Sequence, residues 1–291
     1  SKGEKGAFME KKSTVQENMS EENERTATAH RTVKMRRLKN FGEDNSARHI
    51  IIVIASMLCF FILWFILSRF QKTAGFLSKP EIVFSLLIER LKDGYYWPDV
   101  TSSLRRVMVG YLLGMLVAIP VAFAMGWYKS VRDLIEPWIQ FLRTIPPLAY
   151  IPIMVVAFGV GEKSKYAIIF FATFLTTSIT VCQGILEIDK VLIKAAYTFG
   201  AKDREIFLSV TLPASLPYIL IAARAALAGS FTTLIAAEMT GATVGLGARI
   251  QLASSVARID LVMLGIFTIG VFGFAFDRLL LLLEKLLNRW K

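Results

Sequence analysis

Long apolar runs alternate with short polar segments along most of the chain. Six runs reach the length of a bilayer-spanning helix, at about residues 49 to 68, 104 to 126, 138 to 159, 165 to 186, 213 to 237 and 259 to 283. The third, "WIQFLRTIPPLAYIPIMVVAFG", holds Pro146, Pro147 and Pro152. Each proline removes a backbone donor and blocks regular helix on its N-terminal side, so this span is expected to be kinked or broken. Irregular backbone at membrane depth needs protein or a water-filled cavity to satisfy it, which places the span in the interior.

Two polar segments carry helical patterning of their own. "KPEIVFSLLIERLKDG", between the first two spans, sets Ile82/Val83, Leu86/Leu87 and Leu91 on one face, with Pro80 at its start and Gly94 past its end. It reads as an amphipathic helix at the outer interface. "KAAYTFGAKDREIFLSVTLP", residues 194 to 213, is too polar to cross a bilayer. Ala195, Ala196 and Phe199 cluster on one side of a short helix. Gly200 suits a left-handed cap, and Asp203 can cap a second helix bearing Ile206, Phe207 and Val210. The exposed apolar face needs a cover, either a groove on a partner protein or the chain's own membrane domain.

Composition agrees with a polytopic membrane protein: 291 residues, 54% hydrophobic, with a mean hydropathy of +0.51. Residues 1–48 are charged and poor in aromatics, too little apolar surface to offset the entropy of ordering, and read as a disordered cytoplasmic tail. Within it "HRTVKMRRLKNF" reads as a basic membrane flank or a segment lying on anionic lipid. The membrane domain is residues 49–291, with a cytoplasmic loop at 187–212. No cleavable leader is expected, since the first apolar run begins only near His49, and that span is expected to remain as an anchor. The net charge of +11 fits loops facing anionic lipid better than nucleic acid. With both ends inside, the cytoplasmic segments hold about twenty Lys and Arg against about nine outside, as the positive-inside rule favours.

Several chemistries are excluded or disfavoured. Cys59 and Cys182 lie in apolar runs and read as small buried hydrophobes, so neither a disulfide nor a metal site is expected; His30 and His49 are far from both. No Walker-type phosphate loop occurs, "GVGEKSK" having the wrong register, and no hydrolase or metalloprotease spacing is present. The spans are nearly free of midplane carboxylates: Glu238 and Asp277 sit toward helix ends, and Arg143 and Arg224 read as the only deep charges. Arg224 and Glu238 are about 21 Å apart along one helix, too far to pair. Neighbouring carbonyls, snorkelling or a substrate could each satisfy Arg224. Thr173, Thr176, Thr180 and Gln183 form a polar stripe on the fourth span. Ala222, Ala226, Gly229, Thr233 and Ala237 form a small-residue face on the fifth. Each reads as helix packing or as a pathway lining, to which Ser230 also belongs.

The 194 to 213 segment resembles the cytoplasmic signature loop of binding-protein-dependent ABC transporter permeases, whose pattern is Glu-Ala-Ala, three residues, Gly, nine residues, Ile-x-Leu-Pro. Ala195, Ala196, Gly200, Leu212 and Pro213 match at the required spacing; Val210 stands for Ile and Lys194 for the usual Glu. "TIPPLAYIPIMVVAFGVGEKSK", "AAEMTGATVGLG" and "FDRLLLLLEKLLNRW" are similar to permeases of nitrate, sulfonate and taurine importers. The resemblance implies an all-α type I importer permease with six transmembrane helices, working as a homodimer in a bacterial inner membrane. It implies separate cytoplasmic ATPases that bind ATP and Mg, no cofactor in this chain, an external substrate-binding protein, and a small anionic solute. Lys194, Ala195, Ala196, Phe199, Gly200, Leu212 and Pro213 would contact the ATPase. Thr173, Thr176, Thr180, Gln183, Ser230 and Thr233 would line the pathway. The alternatives are a self-contained secondary transporter or channel, whose loop would pack on its own domain, and a membrane-anchored regulator.

Overall fold

A computed structural model of the chain describes residues 46–70, 75–94 and 96–287, the side chains of 46–50 and 287 excepted. The expected tail, "HRTVKMRRLKNF" included, lies almost wholly outside the described residues. All regular structure among them is helical: α1 (Ser46–Leu67), α2 (Pro80–Lys92), α3 (Trp97–Trp127), α4 (Lys129–Thr144), α5 (Pro147–Phe158), α6 (Glu162–Leu186), α7 (Lys190–Thr198), α8 (Asp203–Met239), α9 (Leu246–Ser255) and α10 (Ile259–Leu287). The chain falls into two compact units, the boundary in sequence lying between Trp64 and Phe65. Among the described residues the first unit is most of α1, whose Ile51–Leu67 stretch is apolar and whose side chains Ile51, Leu58, Phe60 and Ile62 are more than half exposed. Cys59 is exposed there rather than buried; Cys182 is buried.

In the second unit α3, α6, α8 and α10 are each long and apolar enough to cross a membrane, and α4 with α5 passes as one broken pair, bent by 104°. The break falls where the prolines put it. Ile145 and Pro146, each preceding a proline, are extended (ψ 124° and 137°), and Pro147 opens α5. Tyr150 Oη donates across the bend to the Leu142 carbonyl at 2.7 Å, a second hydrogen bond on an oxygen that also accepts the Ile145 N–H at the end of α4. Two expectations need correction. The helix of the third span, expected from about residue 138, begins earlier: α4 starts at Lys129 with an amphipathic first half that Pro137 does not interrupt. And the broken span is interior on one side only. Ile151 is buried against Ile168, Ala236 and Ala237, while Leu148, Ile153 and Val156 remain exposed.

Within hydrocarbon, burial alone does not hold helices together, so close approach and interhelical hydrogen bonds decide the packing. The α3–α6 pair shows both. A Cβ at Gly110 or Gly114 would come within 2.6 Å of Ile169 Cβ or Thr173 Cβ, so this glycine pair, four residues apart, lets the two backbones nest. Tyr111 Oη donates to the Ala223 carbonyl on α8, and Thr173 and Ser230 share a buried hydrogen bond of 2.9 Å between α6 and α8. Toward the other end Phe123, Met125, Ile139, Ile179 and Ile185 form a common core of α3, α4 and α6. As expected, α2 is a helix started by Pro80, with Val83 fully buried and Phe84 edge-on to Phe267 of α10 at 5.4 Å.

The first turns of α8 include a π-helical stretch, Phe207–Thr211. Its cause is local. Pro213 has no N–H for the Ser209 carbonyl, and the neighbouring Leu212 N–H reaches back five residues to the Phe207 carbonyl.

Candidate functional site

The 187–212 segment folds as a helix, a turn and a second helix. Asp189 Oδ1 accepts from the Val191 N–H at 2.8 Å and starts α7. Gly200 ends it at φ +81°, with its N–H on the Tyr197 carbonyl and the Ala201 N–H on the Ala196 carbonyl, the paired bonds of a Schellman motif. Nothing lies within 4 Å of a Cβ built on Gly200, so the backbone conformation and not space demands glycine. Lys202, not Asp203, is the N-cap of the second helix, and the Glu205 carboxylate accepts its N–H at 2.8 Å. Asp203 Oδ1 instead accepts from Tyr197 Oη at 2.8 Å, bolting the two helices together and pushing the Tyr197 phenol above its ordinary pKa.

Beyond the turn, Ile206 is fully buried and Phe207 packs edge-on against Phe123 (5.3 Å) and Trp127 (5.5 Å) of α3. No residue of α7 is buried. Lys194 and Ala195 are exposed and Ala196 half-buried; Phe199 is 90% exposed, Leu212 exposed, and Pro213 half-buried in the first turn of the apolar part of α8. Val191, Leu192 and Tyr197 add to the open apolar surface. The sequence pattern had not singled them out, although they share α7 with Ala195. The result is an exposed helix with apolar side chains on its surface, tied by its turn and by Tyr197 to a helix that runs on into an apolar span.

The predicted pathway residues do not stay together. Thr173 and Ser230 are buried and bonded to each other; Thr180 Oγ1 donates to its own helix at Thr176; Gln183 is exposed. Thr176 and Thr233 line a cavity of about 240 Å³ between the α4–α5 break, α6 and α8, together with Arg143, Tyr150, Phe171 and Thr232. On the small-residue face Ala222, Ala226, Thr233 and Ala237 are buried, and Gly229 opens on the cavity.

The deep charges differ from expectation. Arg143 is exposed at the cavity. Arg224 is held by carboxylates, Asp277 at 2.9 Å and Glu284 at 3.6 Å, both on α10, and not by carbonyls. The buried charges are others. Arg106, 4% exposed, donates to both Glu162 oxygens at 2.6 and 2.7 Å, to Glu238 Oε1 at 2.6 Å and to the Val244 carbonyl at 2.7 Å. Lys165 lies 3.4 Å from Glu162. Glu238 also accepts from Ser103 Oγ and from the Gly247 N–H, both at 2.7 Å. The Gly245 and Leu246 N–H groups are taken by Asp99 and Ser103, so with Glu238 on the Gly247 N–H, side chains of α3 and α8 satisfy three N–H groups at the amino end of α9. Gly245 is obligatory: φ is +138°, and a Cβ would stand 2.6 Å from Arg106 Nη1. The sequence pattern had singled out neither Arg106 nor Glu162 and Lys165, which lie on different helices from their partner Glu238.

Residues 110–289 match the family of binding-protein-dependent transport system inner membrane components. A probable ABC transporter permease of Brucella abortus is 41% identical over 228 residues, 78% of this chain and 90% of that one. The taurine transport system permease protein TauC of Escherichia coli is 33% identical over 250 residues, covering 84% and 91%. The bicarbonate transport system permease protein CmpB of Synechococcus elongatus is 29% identical over 251 residues, covering 82% and 90%. Among solved structures, an amino acid ABC transporter with histidines aligns with TM-score 0.58 and 16% identity over 68% of this chain and 97% of that one. The inward-facing MetNI methionine ABC transporter aligns with TM-score 0.52 and 22% identity, covering 62% and 94%.

Proposed function

The chain belongs to the family of binding-protein-dependent transport system inner membrane components, as a permease of the ABC importer class, and on that premise we propose how its parts work. Two copies form the pathway in a bacterial inner membrane, with both termini in the cytoplasm. The uncovered side of α5, next to backbone freed at the α4–α5 break, supports a second copy there, because such backbone needs protein or water to satisfy it. ATP and Mg bind to separate cytoplasmic ATPase subunits, and this chain hydrolyses nothing. An external binding protein delivers a small anionic solute, a reading supported by the bicarbonate and by the sulfonate group of the taurine named for its relatives.

The observation that carries the reading is α7: an unburied apolar helix, closed by a Schellman turn and bonded through Tyr197 to a helix that runs on into the membrane. Lys194, Ala195, Ala196, Phe199 and Gly200, with Leu212 and Pro213 behind them, form the ATPase contact. Closure of the ATP-bound dimer moves α7, and the seat of Ile206 and Phe207 on α3 passes that motion to the spans as a rigid-body shift. A self-contained transporter or channel would bury this loop against its own domain, and no residue of α7 is buried. Thr176 and Thr233 line the pathway, with Thr173 and Ser230 holding α6 to α8 behind it and Thr180 and Gln183 continuing toward the cytoplasm.

The test is gentle purification from the native membrane with measurement of ATP hydrolysis. The wild-type chain brings an ATP-hydrolysing subunit, and the Ala195→Asp/Ala196→Asp variant, equally abundant in the membrane, does not. Retention of that activity by the variant contradicts the role given to α7.

A further inference from the structure

The cavity at the α4–α5 break holds one cation and no carboxylate among its lining residues: Arg143, with the hydroxyls of Thr176, Thr232 and Thr233 and the apolar walls Phe171 and Leu175. Thr233 and Thr232 donate to their own helix. The guanidinium of Arg143 and the hydroxyl of Thr176 have no hydrogen-bonding partner within the described residues. Depth makes this unusual. Thr176 is fourteen residues from Glu162 and ten from Leu186 on the spanning helix α6, so about 21 Å and 15 Å from its two ends. An arginine at that level is costly against lipid and is tolerated where it faces water, protein or a charged solute. Glu162, Glu238, Asp277 and Glu284, which neutralise the other deep arginines, are committed to Arg106 and Arg224.

We infer that Arg143 is the residue that makes this cavity selective for anions, binding an oxoanion head such as a sulfonate, carboxylate or bicarbonate together with the Thr176 hydroxyl. The guanidinium fork matches two oxygens of such a head, and the apolar walls accept a short carbon body. The proline break explains the placement. By ending α4 at Thr144 and turning the chain through 104°, it leaves Arg143 at the last turn, beside the cavity rather than continuing a straight helix past it. The inference rests on the reading of this cavity as part of the pathway.

A cysteine reporter tests it in the full chain, in membranes, with Cys59→Ser and Cys182→Ala as background. Thr176→Cys, or in a second protein the exposed Thr232→Cys, is titrated with an anionic sulfonatoethyl and a cationic trimethylammonioethyl methanethiosulfonate at low ionic strength. With Arg143 present the anionic reagent is favoured, and Arg143→Gln lowers the anionic-to-cationic rate ratio about fivefold, as one unit charge across a watery cavity requires; Arg143→Lys preserves it. An unchanged ratio in Arg143→Gln overturns the inference, as does a failure of both reagents to reach either cysteine. No ATPase or binding protein takes part, so this result and the importer reading fail separately.

Discussion

Arg106 bridges two carboxylates, Glu162 and Glu238, and its replacement by glutamine gives the sharpest energetic prediction. Glu162 would keep Lys165 at 3.4 Å and Arg105 at 3.9 Å and is about one-third exposed to water. Glu238 would not be so fortunate: its side chain has no exposure, and its remaining donors would be Ser103 Oγ and the Gly247 N–H. Removing one partner of a buried pair costs about 3–5 kcal/mol, because a charge stays behind without compensation. Arg224→Gln breaks a similar pair at side chains one-third exposed, where water takes up the charge, and about 1 kcal/mol is expected. Thermal unfolding of the purified chain in detergent, followed by tryptophan fluorescence, should therefore fall by on the order of 10 °C for Arg106→Gln and by roughly a third of that or less for Arg224→Gln. Combining Arg106→Gln with Glu238→Gln removes both charges, and the pair should show a coupling of about 1.5 kcal/mol or more. Equal shifts for the two arginine variants, or strict additivity in the cycle, would refute the assignment of Arg106 as the keystone of this end of the fold.

Gly245→Ala places a methyl group against Arg106 and Glu238 at a φ of +138°, and should lower the same unfolding midpoint by several degrees with no charge removed. Gly200→Val meets nothing within 4 Å but strains a φ of +81° by about 1–2 kcal/mol locally. Membrane insertion and the unfolding midpoint should stay near wild type while ATP hydrolysis by the assembled complex no longer tracks uptake, a ratio read in proteoliposomes. The Tyr197 phenol, raised by its bond to Asp203, keeps that bond through the ordinary tyrosine range and loses it as alkaline pH passes the raised value. Asp203→Asn should bring the Tyr197 ionisation, read as the absorbance difference from Tyr197→Phe, back down.

What could be read from the chain beforehand was local in cause. The cap at Gly200, the break at Pro146–Pro147 and the start of α2 at Pro80 each follow from backbone constraints within a few residues, and each is where the pattern put it. The extent of α4 was hidden because its polar first half resembles a loop when hydropathy alone is scanned. The Arg106 network was invisible for a different reason: Arg106 and Glu238 are 132 residues apart, and each taken singly looks like an ordinary residue near a helix end. The polar stripe of α6 failed to hold together because i, i+3, i+7 and i+10 sweep about 80° around a helix. Thr173 at one edge of that sweep is sealed against Ser230, and Gln183 at the other is exposed. Spacing identifies a face, and the neighbouring helices decide which part of it stays open.

The central claim is that a separate ATPase, gripping α7, drives solute through this chain. Proteoliposomes holding the chain alone, and others holding it with its copurifying ATPase and binding protein, should be compared for accumulation of radiolabelled taurine and bicarbonate above the external concentration. Accumulation is predicted only in the complete set, only with ATP on the cytoplasmic side, and not when Ala195 and Ala196 are aspartate. Uphill accumulation by the chain alone would contradict the account.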